Sequence, residues 1–417
     1  HDAQRMLASK PAVVVYSSAV QESNVELAAA RAAGLAVLSR AEAVRDIMNG
    51  RDVIEVMGTH GKTTTAAMAA MAARRAGIDI SYLVGSEIAQ VGSNAQWAGP
   101  VTVVEGDESD ASGFELSPSV LVITNIDRDH MDFWPEQSEL ISAFEHFAAK
   151  VGANQSGLGV VIACADDHSA RAVAASALRT GCRVITYGTS EAADVRIVDV
   201  QADALGQSAR VSGLVDVELL RLALPGIHNL RNAAAVIALA HARDWAMDSV
   251  VAALAEFRST RRRFEVVGDV DGITVIDDYA HHPTAVAATI AGAQGIASAR
   301  RSHGMPARVV AICQPYRWYR TAALAAEYAS ALSAADIVLL LDVYGPGEQP
   351  IAGAGASDIA SRMTASPVYV GTKERAVEWV LQEAQAGDLI LTLGGEDVRH
   401  AAVSAANALA GLTGGAV

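Results

Sequence analysis

Short apolar runs alternate along the whole chain with alanine-rich segments whose apolar residues repeat at helical spacing. Strand-like and helix-like segments that alternate in this way favour an α/β fold with mainly parallel sheets. The predicted strands are residues 13–16, 36–38, 53–57, 101–105, 120–125, 159–164, 183–187, 273–277, 309–313, 337–341, 368–370 and 389–393. The predicted helices are residues 24–33, 139–150, 229–242, 322–332, 356–363 and 373–383, with one more that begins at residue 284.

The pattern changes twice and divides the chain into three predicted domains. Residues 193–225 contain short β-like pieces that predict an antiparallel flap, and the α/β alternation restarts after Phe257. We therefore predict an N-terminal part at residues 1–48, a central domain at 49–258 and a third, dinucleotide-fold-like domain at 259–417. A length of 417 residues is sufficient for two or three domains.

Composition and charge narrow the class of protein. The formal net charge is −15, which argues against nucleic acid or an anionic membrane as the main partner. Three widely spaced cysteines form no C-x-x-C pair, so neither a disulfide framework nor a zinc knuckle is indicated. No apolar run is long enough to span a bilayer, and we expect a soluble cytoplasmic protein.

A glycine-bounded loop between a strand and an alanine-rich helix is the strongest chemical signal. It reads Gly58-Thr59-His60-Gly61-Lys62-Thr63-Thr64. Such a loop can hold a nucleotide triphosphate with backbone N–H groups and the helix N-terminus, while Lys62 supplies positive charge and Thr63 a hydroxyl for Mg²⁺. The alternative is a tight turn whose lysine faces solvent. We predict that the loop binds ATP.

Acidic residues follow two of the predicted strands. Residues 105–110 contain four carboxylates, and residues 125–132 contain three more together with His130. Ligands bind at the carboxyl ends of parallel strands, and hard cations take oxygen ligands, so these segments predict Mg²⁺ sites beside the phosphate loop. The alternative is a pair of solvated acidic loops.

Polar clusters also mark the start of the 229–242 helix and the third domain. Asn229 and Asn232 lie three residues apart and form an amide pair suited to a purine, although capping is an alternative for Asn229. Three consecutive arginines at residues 261–263 end at Arg263, and arginine can neutralise the charge of a transferring phosphoryl group. The tandem His281-His282 follows another strand, with an exposed loop as its alternative.

Two arginines follow the strand at residues 309–313. Arg317 and Arg320 lie three residues apart, a spacing suited to bidentate binding of a carboxylate. The alternative is the start of a surface helix.

These motifs, taken in order, resemble those of the Mur ligases. The resemblance rests on residues 58–64, 107–110, 124–132, 228–233, 262–264 and 277–283, and it covers nearly the whole chain. It implies ATP- and Mg²⁺-dependent amide synthesis for peptidoglycan precursors. A muramyl carboxylate, in UDP-N-acetylmuramic acid, would become an acyl phosphate and be attacked by the amino group of L-alanine. A monomer or a homodimer is expected.

The resemblance also implies a role for each candidate residue. The catalytic residues would be Lys62, Glu108, His130, Arg263 and His281. ATP would be held by Gly58, Thr59, His60, Gly61, Lys62, Thr63, Thr64, Asn229, Asn232, Arg263 and Asp278, and the metal by Thr63, Glu108 and His130. The substrates would be held by Ser17, Ser18, Tyr279, His281, Arg317 and Arg320.

The chain also departs from the family pattern. Residues 1–48 resemble the later part of the family's UDP-sugar-binding, Rossmann-like domain. Gly106 stands where alanine is usual, Tyr316 where histidine is common, and Gly395 is part of a G-G-E-D sequence in place of G-A-G-D. Two alternatives stay open: a paralogous ligase with another acyl donor or amine, and, more remotely, an ATPase switch protein.

Overall fold

The computed structural model describes residues 2–17, 20–153, 159–203, 206–364 and 368–413, and it contains three sheets. The first sheet has two parallel strands, β1 and β2. The elements of this N-terminal part are α1 (Ala3–Ala8), β1 (Val13–Tyr16), α2 (Val25–Ala32), β2 (Ala36–Ser39) and α3 (Arg40–Met48).

The second sheet has ten strands and contains the phosphate loop. Its elements are β3 (Asp52–Met57), α4 (Lys62–Arg75), β4 (Ile80–Ile88), β5 (Ser93–Gln96), β6 (Val101–Glu105), β7 (Val120–Ile123), α5 (Gln137–Ala153), β8 (Val160–Cys164), α6 (His168–Arg179), β9 (Arg183–Gly188), β10 (Val195–Asp203), β11 (Gly206–Gly213), β12 (Val217–Leu222), α7 (Ile227–Ala242) and α8 (Met247–Glu256), with a 3₁₀ turn at Ser112–Glu115.

The strand order of this sheet is β12-β11-β10-β9-β8-β7-β3-β6-β4-β5. All neighbouring strands from β10 through β9, β8, β7, β3 and β6 to β4 pair in parallel. The pairs β10–β11, β11–β12 and β4–β5 are antiparallel. The mainly parallel sheet and the antiparallel flap are therefore confirmed. Strands such as β7 are buried along their whole length, as expected for parallel strands that are covered by helices on both faces.

Helix α4 is almost entirely buried. Ten of its 14 residues are buried, and six of those are alanines. Because alanine has a small side chain, the helix can pack closely between β4, α7 and α8. This packing fixes the N-terminus of α4, and with it the phosphate loop.

The third sheet has six strands in the order β13-β14-β18-β15-β16-β17. All its pairs are parallel except β13 with β14. Its elements are β13 (Glu265–Val270), β14 (Ile273–Asp278), α9 (Pro283–Ser302), β15 (Val309–Gln314), α10 (Trp318–Ala323), α11 (Ala325–Leu332), β16 (Ile337–Leu341), α12 (Ala356–Arg362), β17 (Val368–Gly371), α13 (Lys373–Glu383), β18 (Leu389–Gly394) and α14 (Arg399–Thr413).

The α/β fold class is confirmed, and one predicted helix is wrong. The helix predicted at residues 322–332 consists of α10 and α11, which are separated at Leu324. The domain limits at residues 48 and 258 stay predictions. Among the described residues, no helix is long and apolar enough to cross a membrane.

Candidate active site

The central and third sheets face a common cleft of about 1260 Å³. Its walls are formed by the loops that follow β3, β6 and β7 of the central sheet and β14 and β15 of the third. Ligands bind at this edge of open parallel sheets. The candidate residues that line it are Thr59, His60, Gly61, Lys62, Thr63, Thr64, His130, Asn229, Asn232, Arg263, Asp278, Tyr279, His281, Arg317 and Arg320.

The phosphate loop depends on two glycines and one amide side chain. Gly58 and Gly61 have φ angles of 126° and 83°, which non-glycine residues rarely adopt. A Cβ atom at Gly58 would lie 2.3 Å from Thr124 Oγ1. The Asn125 side chain accepts a hydrogen bond from His60 N at 2.9 Å and donates one to His60 O at 2.8 Å. The loop is therefore held in shape, and α4 begins at Lys62 with no side-chain cap on its first amides.

Lys62, Glu108 and His130 form a charged group beside the loop. Lys62 Nζ lies 2.7 Å from Glu108 Oε2, and His130 Nε2 lies 3.5 Å from Glu108 Oε1. Glu108 is fully buried. Burial alone would lower the pKa of His130, but the hydrogen bond to Glu108 and the charge of Asp129 raise it. A lysine that faces solvent and a solvated loop around Glu108 are therefore both wrong.

The oxygen donors near Thr63 suit a hard divalent cation. Thr63 Oγ1 donates to Glu105 Oε1 at 2.7 Å. Together with Glu108, which lies beside Lys62, these residues offer a hydroxyl and two carboxylates, the ligand chemistry that Mg²⁺ prefers. The acidic segment predicted as a Mg²⁺ site begins at Glu105, the last residue of β6, but the ligands implied by the family resemblance did not include it.

The two amide residues lie together near the start of α7. Asn229 Nδ2 donates to Pro225 O at 2.8 Å, and Asn232 Nδ2 donates to Asn229 Oδ1 at 3.3 Å. The helix begins at Ile227 after Gly226, so Asn229 is not its cap. A Cβ atom at Gly61 would lie 2.7 Å from Asn232 Oδ1, which places this amide against the phosphate loop.

Of the three consecutive arginines, Arg263 alone lines the cleft. Arg261 pairs with Glu87 at 3.3 Å, and Arg262 pairs with Asp277 at 3.1 Å. The Arg263 guanidinium lies 5.5 Å from the ring centre of Tyr279.

Asp278, at the end of β14, accepts hydrogen bonds from Phe264 N and Ala280 N, both at 2.8 Å. Burial raises the pKa of Asp278 to about 6, against the lowering effect of Arg263 and these bonds.

His281 is arranged as a neutral base. Its Nδ1 lies 2.8 Å from Tyr279 O, and since a carbonyl oxygen only accepts, Nδ1 carries the proton and Nε2 has a free lone pair. Burial, together with the nearby charge of Arg320, lowers the pKa of His281 well below its usual value. The next residue, His282, is buried, so an exposed loop is wrong there.

Arg320 joins the third sheet to the central one. Its Nη2 and Nε lie 2.7 Å and 3.1 Å from Asp129 Oδ1, and its side chain is 2% exposed. A surface position is therefore wrong for Arg320. Arg317 lies 3.2 Å from Glu348 Oε1. Each guanidinium already contacts a carboxylate.

The structure does not bring every candidate to the cleft. Ser17 lies in the N-terminal part and outside the cleft lining, and Ser18 lies outside the described residues. The N-terminal part contributes Arg40 instead, whose Nη2 lies 3.5 Å from Asp107 Oδ2. The sequence did contain a signal for Arg40, because it directly follows Ser39, which ends β2 and caps α3.

Three family models match the chain in succession. They are described as "Mur ligase family, catalytic domain" for residues 1–52, "Mur ligase middle domain" for residues 56–240, and "Mur ligase, glutamate ligase domain" for residues 262–395.

Individual proteins match over most of the chain. UDP-N-acetylmuramate–L-alanine ligase of Acidothermus cellulolyticus is 40% identical over 392 residues, which is 92% of this chain and 80% of that protein. The protein of the same name from Kineococcus radiotolerans is 41% identical over 402 residues, or 95% of this chain and 83% of that protein. The crystal structure of UDP-N-acetylmuramate-alanine ligase from Thermotoga maritima has a TM-score of 0.79 and 26% identity, and it covers 96% of this chain and 86% of that one.

Proposed function

Because the chain belongs to the Mur ligase family, as its motifs predict, we propose that it joins L-alanine to the carboxylate of UDP-N-acetylmuramic acid in an ATP-dependent reaction. The product is a precursor of peptidoglycan. Relatives that are about 40% identical over more than nine-tenths of the chain carry the name of this activity.

One structural observation supports the proposal most strongly. The groups suited to phosphoryl transfer, around Lys62, and the groups suited to an amino acid, around His281 and Arg317, line the same cleft from opposite domains. Amide synthesis from a carboxylate needs both, since the acid must first be activated and then meet an amine. An ATPase switch protein would have no use for the second set.

In the first proposed step, a carboxylate oxygen of the muramyl group attacks the γ-phosphorus of ATP, and ADP leaves. Lys62 and Arg263, which both line the cleft, would offset the negative charge of the transferring phosphoryl group. Mg²⁺, held by Thr63, Glu105 and Glu108, would supply further neutralisation of phosphate charge.

In the second proposed step, the amino nitrogen attacks the carbonyl carbon of the acyl phosphate. The bond from this carbon to the phosphate oxygen breaks, and inorganic phosphate leaves. His281 Nε2 has the free lone pair that can accept the proton lost by the amine. The carboxylate of the amino acid would bind Arg320, which also pairs with Asp129, and Arg317, which also pairs with Glu348.

No specific observation favours a paralogous ligase with another donor or amine. ATP is a cytoplasmic substrate, so we place the proposed reaction in the cytoplasm.

The test is phosphate release by the purified protein with Mg-ATP and UDP-N-acetylmuramic acid, across a panel of amino acids. We expect turnover that requires both substrates and prefers L-alanine. Lys62→Ala should abolish turnover, whereas Arg317→Ala should raise the KM for the amino acid more than it lowers kcat. Phosphate release that is independent of any amine would contradict the proposal, and preference for another amino acid would contradict its specificity.

A further inference from the structure

Two histidines and an aspartate from different parts of the chain meet beside the phosphate loop. We call His60, Asp127 and His282 the His–Asp–His cluster. Asp127 Oδ2 lies 3.1 Å from His60 Nε2 and 3.7 Å from His282 Nδ1. All three ligand atoms lie within 4.8 Å of one another, and no other group of this kind occurs among the described residues.

The tautomer of His282 is set by its surroundings. Its Nε2 lies 3.2 Å from Arg128 O, so Nε2 carries the proton and donates to that carbonyl. The lone pair therefore lies on Nδ1, which lies 3.7 Å from Asp127 Oδ2 and accepts a hydrogen bond from Thr284 N at 3.3 Å, so zinc would replace that hydrogen bond. A histidine that binds a metal commonly donates its other N–H to a backbone carbonyl, which fixes the ring and its tautomer.

Asp127 supplies the carboxylate of the cluster. Thr284 Oγ1 donates to Asp127 Oδ2 at 2.7 Å. His60 Nε2 lies 3.1 Å from the same oxygen, so zinc would replace this hydrogen bond as the His60 proton moves to Nδ1. Asp127 Oδ2 thus faces both histidines.

The spacing of the cluster matches a known coordination geometry. Zinc binds histidine nitrogen and carboxylate oxygen at about 2.0–2.2 Å, so neighbouring ligands of a tetrahedral site lie roughly 3.3 Å apart. The two measured separations, 3.1 Å and 3.7 Å, bracket this value. Two imidazoles and one carboxylate favour zinc over Mg²⁺, which prefers oxygen ligands.

We propose that His60, Asp127 and His282 form a binding site for Zn²⁺ that is separate from the oxygen-rich Mg²⁺ site proposed at Thr63, Glu105 and Glu108. His60 belongs to the phosphate loop, and His282 caps α9 of the third domain. Bound zinc thus connects the nucleotide loop to the third domain. All three side chains line the cleft, so the site is open to ions in solution.

The test is a zinc titration of the whole, chelator-treated protein against a chromophoric competitor, with Mg²⁺ in large excess to fill the oxygen-rich site. We expect one zinc ion per chain. Asp127→Asn keeps the shape of the side chain and should weaken zinc binding at least tenfold, and His282→Gln should do the same. His146→Gln, which changes an exposed histidine on α5, is the matched control and should leave zinc affinity unchanged.

Two outcomes would overturn the proposal. If no zinc binds, the cluster is only a hydrogen-bonded contact between the domains. If zinc binds equally well to the wild type and to Asp127→Asn, its site lies elsewhere. Because the measurement uses neither ATP nor substrate, its failure is distinguishable from a failure of the proposed ligase activity.

Discussion

Two carboxyl groups are buried in different regions of this molecule, and their surroundings give them opposite properties. Glu55 lies inside the central sheet, in β3, and Asp129 lies at the junction with the third domain; they are 0% and 4% exposed. Arg320 donates two hydrogen bonds to Asp129, whereas neither oxygen of Glu55 has a hydrogen-bond partner among the described residues. Burial alone therefore does not set the charge of a carboxyl group, because a hydrogen-bonded cation stabilises the ionised form.

The pKa shifts of the two groups follow from this difference. Burial raises the pKa of Glu55 well above its usual value, so folding favours the protonated, neutral form of its side chain. Burial would also raise the pKa of Asp129, but the charges of Arg320 and His130 hold it below the usual range. Asp129 is thus an ionised link between two domains.

The largest expected effect on stability comes from removing the partner of Asp129, so that it is buried without a partner, as Glu55 is. Arg320→Met leaves the Asp129 carboxylate buried without its cation, which should lower the free energy of unfolding by about 3–5 kcal/mol. The measurement is chemical denaturation at pH 7.

The matched control for that variant is Arg317→Met. Arg317 pairs with Glu348, and its side chain is 37% exposed, so its replacement should cost less than about 1 kcal/mol. Adding Asp129→Asn to Arg320→Met should restore part of the stability, since no unpaired charge then remains. Equal losses for Arg320→Met and Arg317→Met would contradict the role given to burial.

The space around Glu55 provides a second test. A Cβ atom at Gly106 would lie 2.2 Å from Glu55 Oε1 and 2.8 Å from Met57 Cγ. Gly106→Ala should therefore cost about 1–3 kcal/mol through overpacking, measured by thermal or chemical denaturation. Gly295→Ala, on α9, meets nothing closer than 3.8 Å and should not destabilise the protein. If Glu55→Val does not lessen the cost of Gly106→Ala, the two residues do not compete for this space.

Removing the titratable group at Glu55 should change how stability depends on pH. The raised pKa means that the folded protein keeps a proton that the unfolded chain releases, so this contribution is complete below the unfolded pKa and declines as the pH rises toward the folded one. Glu55→Gln should flatten that decline, which for one proton is about 1.4 kcal/mol per pH unit.

The measurement is the free energy of unfolding from pH 5 to 8 for Glu55→Gln and the wild type. The slope is the useful quantity, because a buried amide adds a cost that does not vary with pH. Asp129 has the opposite sign, since its contribution is present above the unfolded pKa and is lost only as the pH falls through the folded one. Parallel curves for wild type and Glu55→Gln would show that Glu55 is ionised in both states.

The smallest expected change in stability concerns Gly395 and Tyr316 in the third domain, a glycine and a side chain in close contact, as Gly106 and Glu55 are. A Cβ atom at Gly395 would lie 2.4 Å from Cδ2 of Tyr316, whose ring is partly exposed and would have to shift against His281 and Tyr344. Gly395→Ala should cost less than about 1 kcal/mol in stability but should raise the KM for the amino acid, since Tyr316 lies beside Arg317. The double variant Tyr316→His, Gly395→Ala should recover the KM, and a KM unaffected by Gly395→Ala would place Tyr316 outside the amino-acid pocket.

Local features were the ones that the sequence predicted well. The loop between β3 and α4 was predicted because its glycines, lysine and threonines are neighbours in the chain. The break at Leu324 was not predicted, because the apolar spacing of a helix continues through it. The Arg320–Asp129 pair joins residues 191 positions apart, and no local pattern indicates such a contact. Glu55 could have been recognised, since a strand buried on both faces has no solvent-exposed side for a carboxyl group.

The close packing of α4 has a consequence for how this protein tolerates mutation. Ala66, Ala69 and Ala70 have no exposed surface. A larger side chain at any of them would push the helix away from its neighbours and carry Lys62 with it. In a complete single-substitution library selected for growth, these alanines should tolerate as few replacements as the phosphate loop, although their methyl groups take no part in any chemistry.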